Sequence, residues 1–149
     1  EETILRTHDL RSESNPVWNQ RQVRTGESCH GYWEVYAEHD GVYEFSLRRW
    51  PREAGHALTE GIEDTDVEFR RDGIQPGSEG YYSGGTALGM DTATLIISGM
   101  LRQEKAVEDA DQTENFQMNL QKGYHHVRAF FSSADGTYTS AYYVHVRRL

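Results

Sequence analysis

Apolar side chains recur at every second position through most of this chain, and that period restricts what it can fold into. Over 31–38, Trp33, Val35 and Ala37 alternate with Tyr32, Glu34 and Tyr36. After His39-Asp40-Gly41, Tyr43, Phe45 and Leu47 alternate with Glu44, Ser46 and Arg48. Successive side chains of a strand point to opposite faces, so each run has one face to bury and one to wet. Two such runs joined by a short segment with Asp-Gly predict an antiparallel hairpin. The pattern returns in Phe116, Met118 and Leu120, turns at Lys122-Gly123, and continues in Val127, Ala129 and Phe131. A turn at Ala134-Asp135-Gly136 then leads to 138–146, where Tyr142, Val144 and Val146 share a face. Ala93, Leu95 and Ile97 add a strand over 92–98. A weaker run at 20–24, after Val17-Trp18, and an edge at 4–8 are further candidates.

Helical signals are few. Residues 101–110 are good helix formers, but Ala106 and Val107 are adjacent and make no stripe. A short turn of helix fits 52–60, after Pro51. One-sided antiparallel strands must cover their apolar faces, which predicts an all-β, antiparallel two-sheet sandwich, jelly-roll-like, of seven to nine strands. From 51 to 90 the composition shifts to Gly, Glu, Asp and Arg, with Pro76-Gly77 and Gly84-Gly85. That stretch reads as a long loop excursion, with a candidate short strand at Val67-Glu68-Phe69-Arg70.

The 149 residues suit one domain, 1–149, with a core of its own. A net charge of −9 argues against a general nucleic-acid binder, which needs a basic surface. No apolar run approaches the roughly 18 to 20 residues of a membrane span. The single cysteine, Cys29, has no internal disulfide partner. The opening Glu1-Glu2-Thr3-Ile4 lacks an initiator Met and a basic-then-apolar leader, so the chain reads as a mature product or an excised piece. Arginine outnumbers lysine 13 to 2, which favours planar contacts to carboxylate, phosphate or sulfate.

Motifs for nucleophilic hydrolysis, phosphate cradling and zinc are missing: no G-x-S-x-G, Walker loop, paired C-x-x-C or H-E-x-x-H occurs. Seven histidines raise a metal reading, but His125 and His126 point to opposite faces of one strand. His126 could meet His145 only if their strands pair. The carboxylates at 60–66 and 104–111 read as solvated loops rather than an acid–base pair. Trp33, Tyr43 and Phe45 belong to the inner row. Trp50 follows Arg48 on the other row, and exposed Trp or Tyr beside Arg suits stacking on a sugar ring. Arg49 falls in the inner row, as a strand-end exception or as the buried partner of a carboxylate.

The segment Gly31-Tyr32-Trp33-Glu34-Val35, then Asp40-Gly41-Val42-Tyr43-Glu44-Phe45-Ser46-Leu47-Arg48-Arg49-Trp50-Pro51-Arg52-Glu53, resembles the C-terminal β-rich accessory domain of bacterial arylsulfatase-like sulfatases. His8-Asp9, the 93–97 strand and the ending Ala141-Tyr142-Tyr143-Val144-His145-Val146-Arg147-Arg148 extend the resemblance over most of the chain outside 59–85. The family's C/S-x-P-S-R motif has no counterpart, since Cys29 is followed by His30-Gly31-Tyr32. The resemblance therefore implies a non-catalytic C-terminal domain of a larger sulfuric ester hydrolase. Its partners would be a catalytic sulfatase domain in cis and a sulfated glycan. No cofactor is expected in this chain; calcium and formylglycine are implied only for the missing catalytic domain. Periplasmic or extracellular location follows from the same resemblance. Contact with substrate or with that domain is expected first from Arg48, Trp50 and Arg52, then from Tyr81 and Tyr82. The alternative is a free-standing carbohydrate-binding β-sandwich module, which uses the same sandwich and exposed aromatics.

Overall fold

The period-two runs do form strands, and the computed structural model describes them within residues 1–12, 16–63 and 84–149. Among the described residues the strands are β1 (Glu2–Arg6), β2 (Arg11–Ser12), β3 (Gly31–Ala37), β4 (Gly41–Arg48), β5 (Thr92–Ile97), β6 (Leu101–Ala106), β7 (Glu114–Leu120), β8 (Gly123–Ser132), β9 (Tyr138–Ser140) and β10 (Tyr143–Arg148). One helix, α1 (Gln20–Thr25), lies between β2 and β3. Ten strands exceed the seven to nine expected because β2 and β9 are only two and three residues long.

Two antiparallel sheets pack face to face. One runs β1-β10-β4-β7; the other runs β2-β3-β8-β5-β6, with β9 also on β8. Ten residues of β8 leave room for two partners along one edge: β3 takes Gly123–Val127 and β9 takes Phe130–Ser132. The inner faces supply Trp33, Phe45, Leu47, Leu95, Ile97, Phe116, Val127, Phe131 and Val144, each at most 2% exposed. Burying such side chains is worth roughly 1.5–3 kcal/mol each and is what holds the sheets together.

The strand partners correct the sequence reading. β3 and β4 are not a hairpin: β3 pairs with β2 and β8, while β4 pairs with β10 and β7. β7 and β8 likewise fall in opposite sheets. Both crossings lie at one end of the sandwich, where the Lys122 N–H donates to the Asp40 carboxylate at 2.6 Å. Alternation shows that a face must be buried; it is silent on which sheet supplies the cover. His126 and His145 therefore sit in different sheets and do not meet.

Two local assignments also change. Residues 20–24 are helical because Asn19 caps the Gln22 N–H at 3.0 Å while the Gln22 side chain accepts from the Asn19 N–H, a capping box. Gly26, at φ 72°, closes the helix in the left-handed region. The helix-forming residues at 101–106 are instead strand β6, paired to β5 through a turn with Ser98 and Gly99 at positive φ. The edge expected at 4–8 is strand β1, which ends at Arg6 and gives way to a 3-10 turn at Thr7–Asp9, and the turn of helix expected over 52–60 is a 3-10 turn at Arg52–Ala54 alone. The candidate strand at 67–70 lies outside the described residues.

Candidate functional site

The residues singled out in the sequence divide by depth. Arg48 ends β4 on the outer face of the four-stranded sheet, in a cross-strand row Arg6–Tyr143–Arg48. It is nearly buried, and desolvation, followed by the nearby Arg52, lowers its pKa. Arg52 is exposed. It donates to Glu2 Oε1 at 2.8 Å and sits 3.1 Å from His145 Nδ1, which is itself 3.2 Å from Glu2 Oε2. Those hydrogen bonds hold the Glu2 carboxyl below its usual range.

Trp50 turns inward. It is 3% exposed, donates from Nε1 to the Glu60 carbonyl at 3.2 Å, and packs where a Cβ on Gly85 would come within 3.0 Å of its ring. Arg49 is fully buried, which decides between the two readings in favour of burial, but its partners are carbonyls rather than a carboxylate. Its guanidinium donates to Glu60 O at 3.0 Å, Thr86 O at 2.5 Å and Arg24 O at 3.4 Å. Burial pulls its pKa down to about 10. The pair thus fastens the described ends of the central excursion to the sheet. Tyr81 and Tyr82 lie outside the described residues.

An open pocket of about 370 Å³ lies beside the Arg48 row, lined by Arg6, Thr7, His8, Val17, Trp18, Asn19, Gln20, Val23, Tyr142 and Tyr143. Its floor is apolar: Val17, Val23 and Tyr142 are buried. Tyr142 is fixed by donating its hydroxyl to Glu27 O at 2.9 Å, and burial pushes its pKa up to about 12. The rim is polar and wet. Trp18 is 66% exposed, and Arg6 and His8 are exposed without an ion-pair partner among the described residues. Gln20 Nε2 donates to the Tyr143 hydroxyl at 2.6 Å. The capping box also positions the tryptophan, because Gln22 Oε1 accepts the Trp18 N–H at 2.9 Å.

This arrangement offers a broad indole face beside amide, guanidinium, imidazole and phenol groups over an apolar floor, the mixture typical of small-ligand pockets. Trp18 was passed over in the sequence because it neighbours an apparent strand and has no periodic partner. The cap pair Asn19 and Gln22 is the signal that would have marked a helix start and, before it, a loop tryptophan. Among the described residues no three His, Cys, Asp or Glu side chains stand together as a metal-holding group. No described helix is long and apolar enough to cross a membrane.

No protein-family model matches this chain, and no curated protein matches it by sequence. Solved structures do match by fold. A CBM35 carbohydrate-binding module from Cellvibrio japonicus Abf62 aligns over 99% of this chain and 93% of its own, with 12% identity and a TM-score of 0.52. A Podospora anserina GH26-CBM35 β-(1,4)-mannanase aligns over 99% of this chain at 10% identity, also with a TM-score of 0.52. This chain spans only 28% of that enzyme. These likenesses correct the resemblance to a sulfatase accessory domain and the function drawn from it: the fold matched over nearly the whole chain is that of carbohydrate-binding modules, and nothing points to a sulfatase.

Proposed function

We propose that this chain is a non-catalytic carbohydrate-binding β-sandwich module that holds a glycan at the Trp18 pocket. The observation that carries the reading is the exposed indole of Trp18 over an apolar floor, ringed by Arg6, His8, Gln20 and Tyr143. A sugar ring presents C–H groups on its face and hydroxyls on its edge. An exposed aromatic meets the first, and side chains with fixed donors and acceptors meet the second. The two CBM35 likenesses support the reading at the level of fold. In the mannanase, a module of this fold and a GH26 enzyme share one chain, which supports a role in cis beside a catalytic domain of a carbohydrate-active enzyme. Polysaccharides met by such enzymes lie outside the cell membrane, which supports an extracellular location for the module.

The test uses the intrinsic fluorescence of the chain. Of its three tryptophans, Trp33 and Trp50 are 2% and 3% exposed, so a neutral quencher such as acrylamide reads Trp18 almost alone. Neutral oligosaccharides of the mannan, xylan and cellulose types are titrated in turn. Protection of Trp18 from quenching by one of them, lost in Trp18→Ala together with calorimetric binding, is the expected result. Absence of protection and of heat across the panel overturns the reading.

A further inference from the structure

The outer face of the larger sheet carries a second feature that the pocket does not use. Alternation on β3 turns Tyr32, Glu34 and Tyr36 outward, and on β8 it turns Tyr124, His126, Arg128 and Phe130 outward. The rings meet in pairs across the strands. Tyr36 and Tyr124 stand edge to face at 5.0 Å, Tyr32 and His126 lie 4.6 Å apart, and Phe130 touches Tyr138 of β9 at 5.6 Å. Tyr138 in turn lies 4.2 Å from His30. Alternate residues of a strand are about 6.6 Å apart, so the row from Tyr124 to Phe130 runs for about 20 Å. Such a row has no role in the core: Tyr124 is 82% exposed, Tyr36 50% and Tyr138 49%.

From this face we infer a second binding surface, for an extended neutral polysaccharide chain lying along β8. Charge and composition choose that occupant. The outward carboxylates of Glu34 and Glu104 are each paired to an arginine, Arg11 at 3.0 Å for the former and Arg102 for the latter. Arg128 lies 5.9 Å over the Tyr32 ring. Three arginines against two glutamates leave this face free of the acidity that dominates a chain of net charge −9. The Arg11–Glu34 pair, and Arg128 over the Tyr32 ring, present hydrogen-bonding groups beside the rings, which suits hydroxyls at regular intervals. The rings recur along β8 at strand spacing with no aliphatic side chain but Ile96 among the outward residues of β3, β5 and β8, a pattern that matches a repeating sugar chain; the self-association arm of the experiment reads a protein occupant instead. The inference rests on the carbohydrate reading but assigns a different surface and a longer ligand.

Two ligands separate the surfaces: the insoluble polysaccharide, measured by depletion of the full chain from solution, and its disaccharide, measured by protection of Trp18 from acrylamide. Tyr36→Ala/Tyr124→Ala removes two exposed rings without opening the core, which an unchanged melting temperature confirms. The expected result is at least a tenfold loss of affinity for the polysaccharide, with disaccharide protection of Trp18 unchanged. Tyr124→Phe, which keeps the ring, retains binding. If Trp18→Ala abolishes retention and the double variant leaves it intact, the face is overturned while the carbohydrate reading stands. If the wild-type chain binds neither ligand, both fall. If the double variant changes only the sedimentation of the free chain, the face is a self-association surface and the inference is likewise overturned.

Discussion

Arg49 and Trp50, consecutive at the end of β4, converge on one acceptor: Arg49 Nη1 and Trp50 Nε1 donate to the carbonyl of Glu60 at 3.0 and 3.2 Å. The guanidinium lies 4.2 Å over the indole, so a buried cation is held by an aromatic face and by carbonyl oxygens, with no carboxylate among its hydrogen-bond acceptors. Arg49→Leu removes the charged donors to Glu60, Thr86 and Arg24 together; Glu60 O keeps Trp50 and Arg24 O keeps the Thr86 N–H, while Thr86 O loses its Arg49 donor, for a loss of about 3 kcal/mol. Trp50→Phe removes one donor and leaves Arg49 on the same oxygen, for a loss of about 1–2 kcal/mol. Urea unfolding of the two variants checks the order; equal losses would show that packing, rather than the shared carbonyl, sets the energy.

Glu114 faces inward opposite Leu47, and desolvation, with a hydrogen bond to the Asp111 side chain next, raises its pKa to about 7. An acid raised in the folded state keeps its proton while the unfolded chain ionises. Stability is therefore unaffected below the ordinary carboxylate range, falls as pH rises from there to about 7, and stays reduced above. Glu114→Gln is expected to raise the melting temperature at pH 8 by about 3 °C, the shift that about 1 kcal/mol produces in a chain of this size, and to leave it unchanged at pH 4. Melting curves at the two pH values decide it.

The Glu2 carboxyl has the opposite sign. Lowered by Arg52 and His145, it contributes stability above its unfolded value that is lost as pH falls through the folded one. Because Glu2 sits on edge strand β1, the loss is local. The protection of β1 amides, taken relative to their intrinsic exchange rate at each pH, should fall on acidification before that of the core, and Glu2→Gln should remove that pH dependence. Protection of wild-type β1 that does not change with pH would refute it.

The capping box links helix stability to the site. Gln22→Ala removes both the reciprocal cap and the acceptor for the Trp18 N–H. It should cost about 1 kcal/mol of stability and weaken disaccharide binding several-fold without touching the ring. Trp18→Ala, at an exposed side chain, should change stability by no more than about 0.5 kcal/mol while abolishing that binding. Calorimetry and denaturant titration of both variants test the pairing.

The strands were legible because one-sided burial leaves a period-two trace at Trp33, Phe45, Phe116 and Val127. Their partners were not. Tyr43, Phe45 and Leu47 look the same whether β4 lies beside β3 or across the core from it. The short helix was hidden for a different reason: six residues with one buried position, Val23, cannot show a stripe, and only the Asn19–Gln22 cap gives it away. Arg49 was placed inward correctly by alternation, yet its acceptors are backbone carbonyls brought in from 24, 60 and 86, and backbone carbonyls carry no side-chain signature. Trp18 shows the limit for the site: exposure of a loop tryptophan is decided by its surroundings. The sequence motif that resembled a sulfatase accessory domain runs largely through strands β3 and β4, whose repeated aromatic and aliphatic residues serve the sandwich itself.

The position of β10 between β1 and β4 carries a consequence for biosynthesis. Both neighbours precede it in the chain and do not pair with each other; the strand that joins them, Tyr143–Arg148, follows every other described strand in order of synthesis. Until it emerges, β1 has no partner and one edge of β4 stands open, a template for any other chain nearby. The larger sheet can close first, since β5, β6, β8 and β9 all precede β10 in the chain, with β3 already waiting. The smaller sheet is sealed only when β10 docks, which makes that strand the step at which this domain commits to being one molecule rather than part of an aggregate.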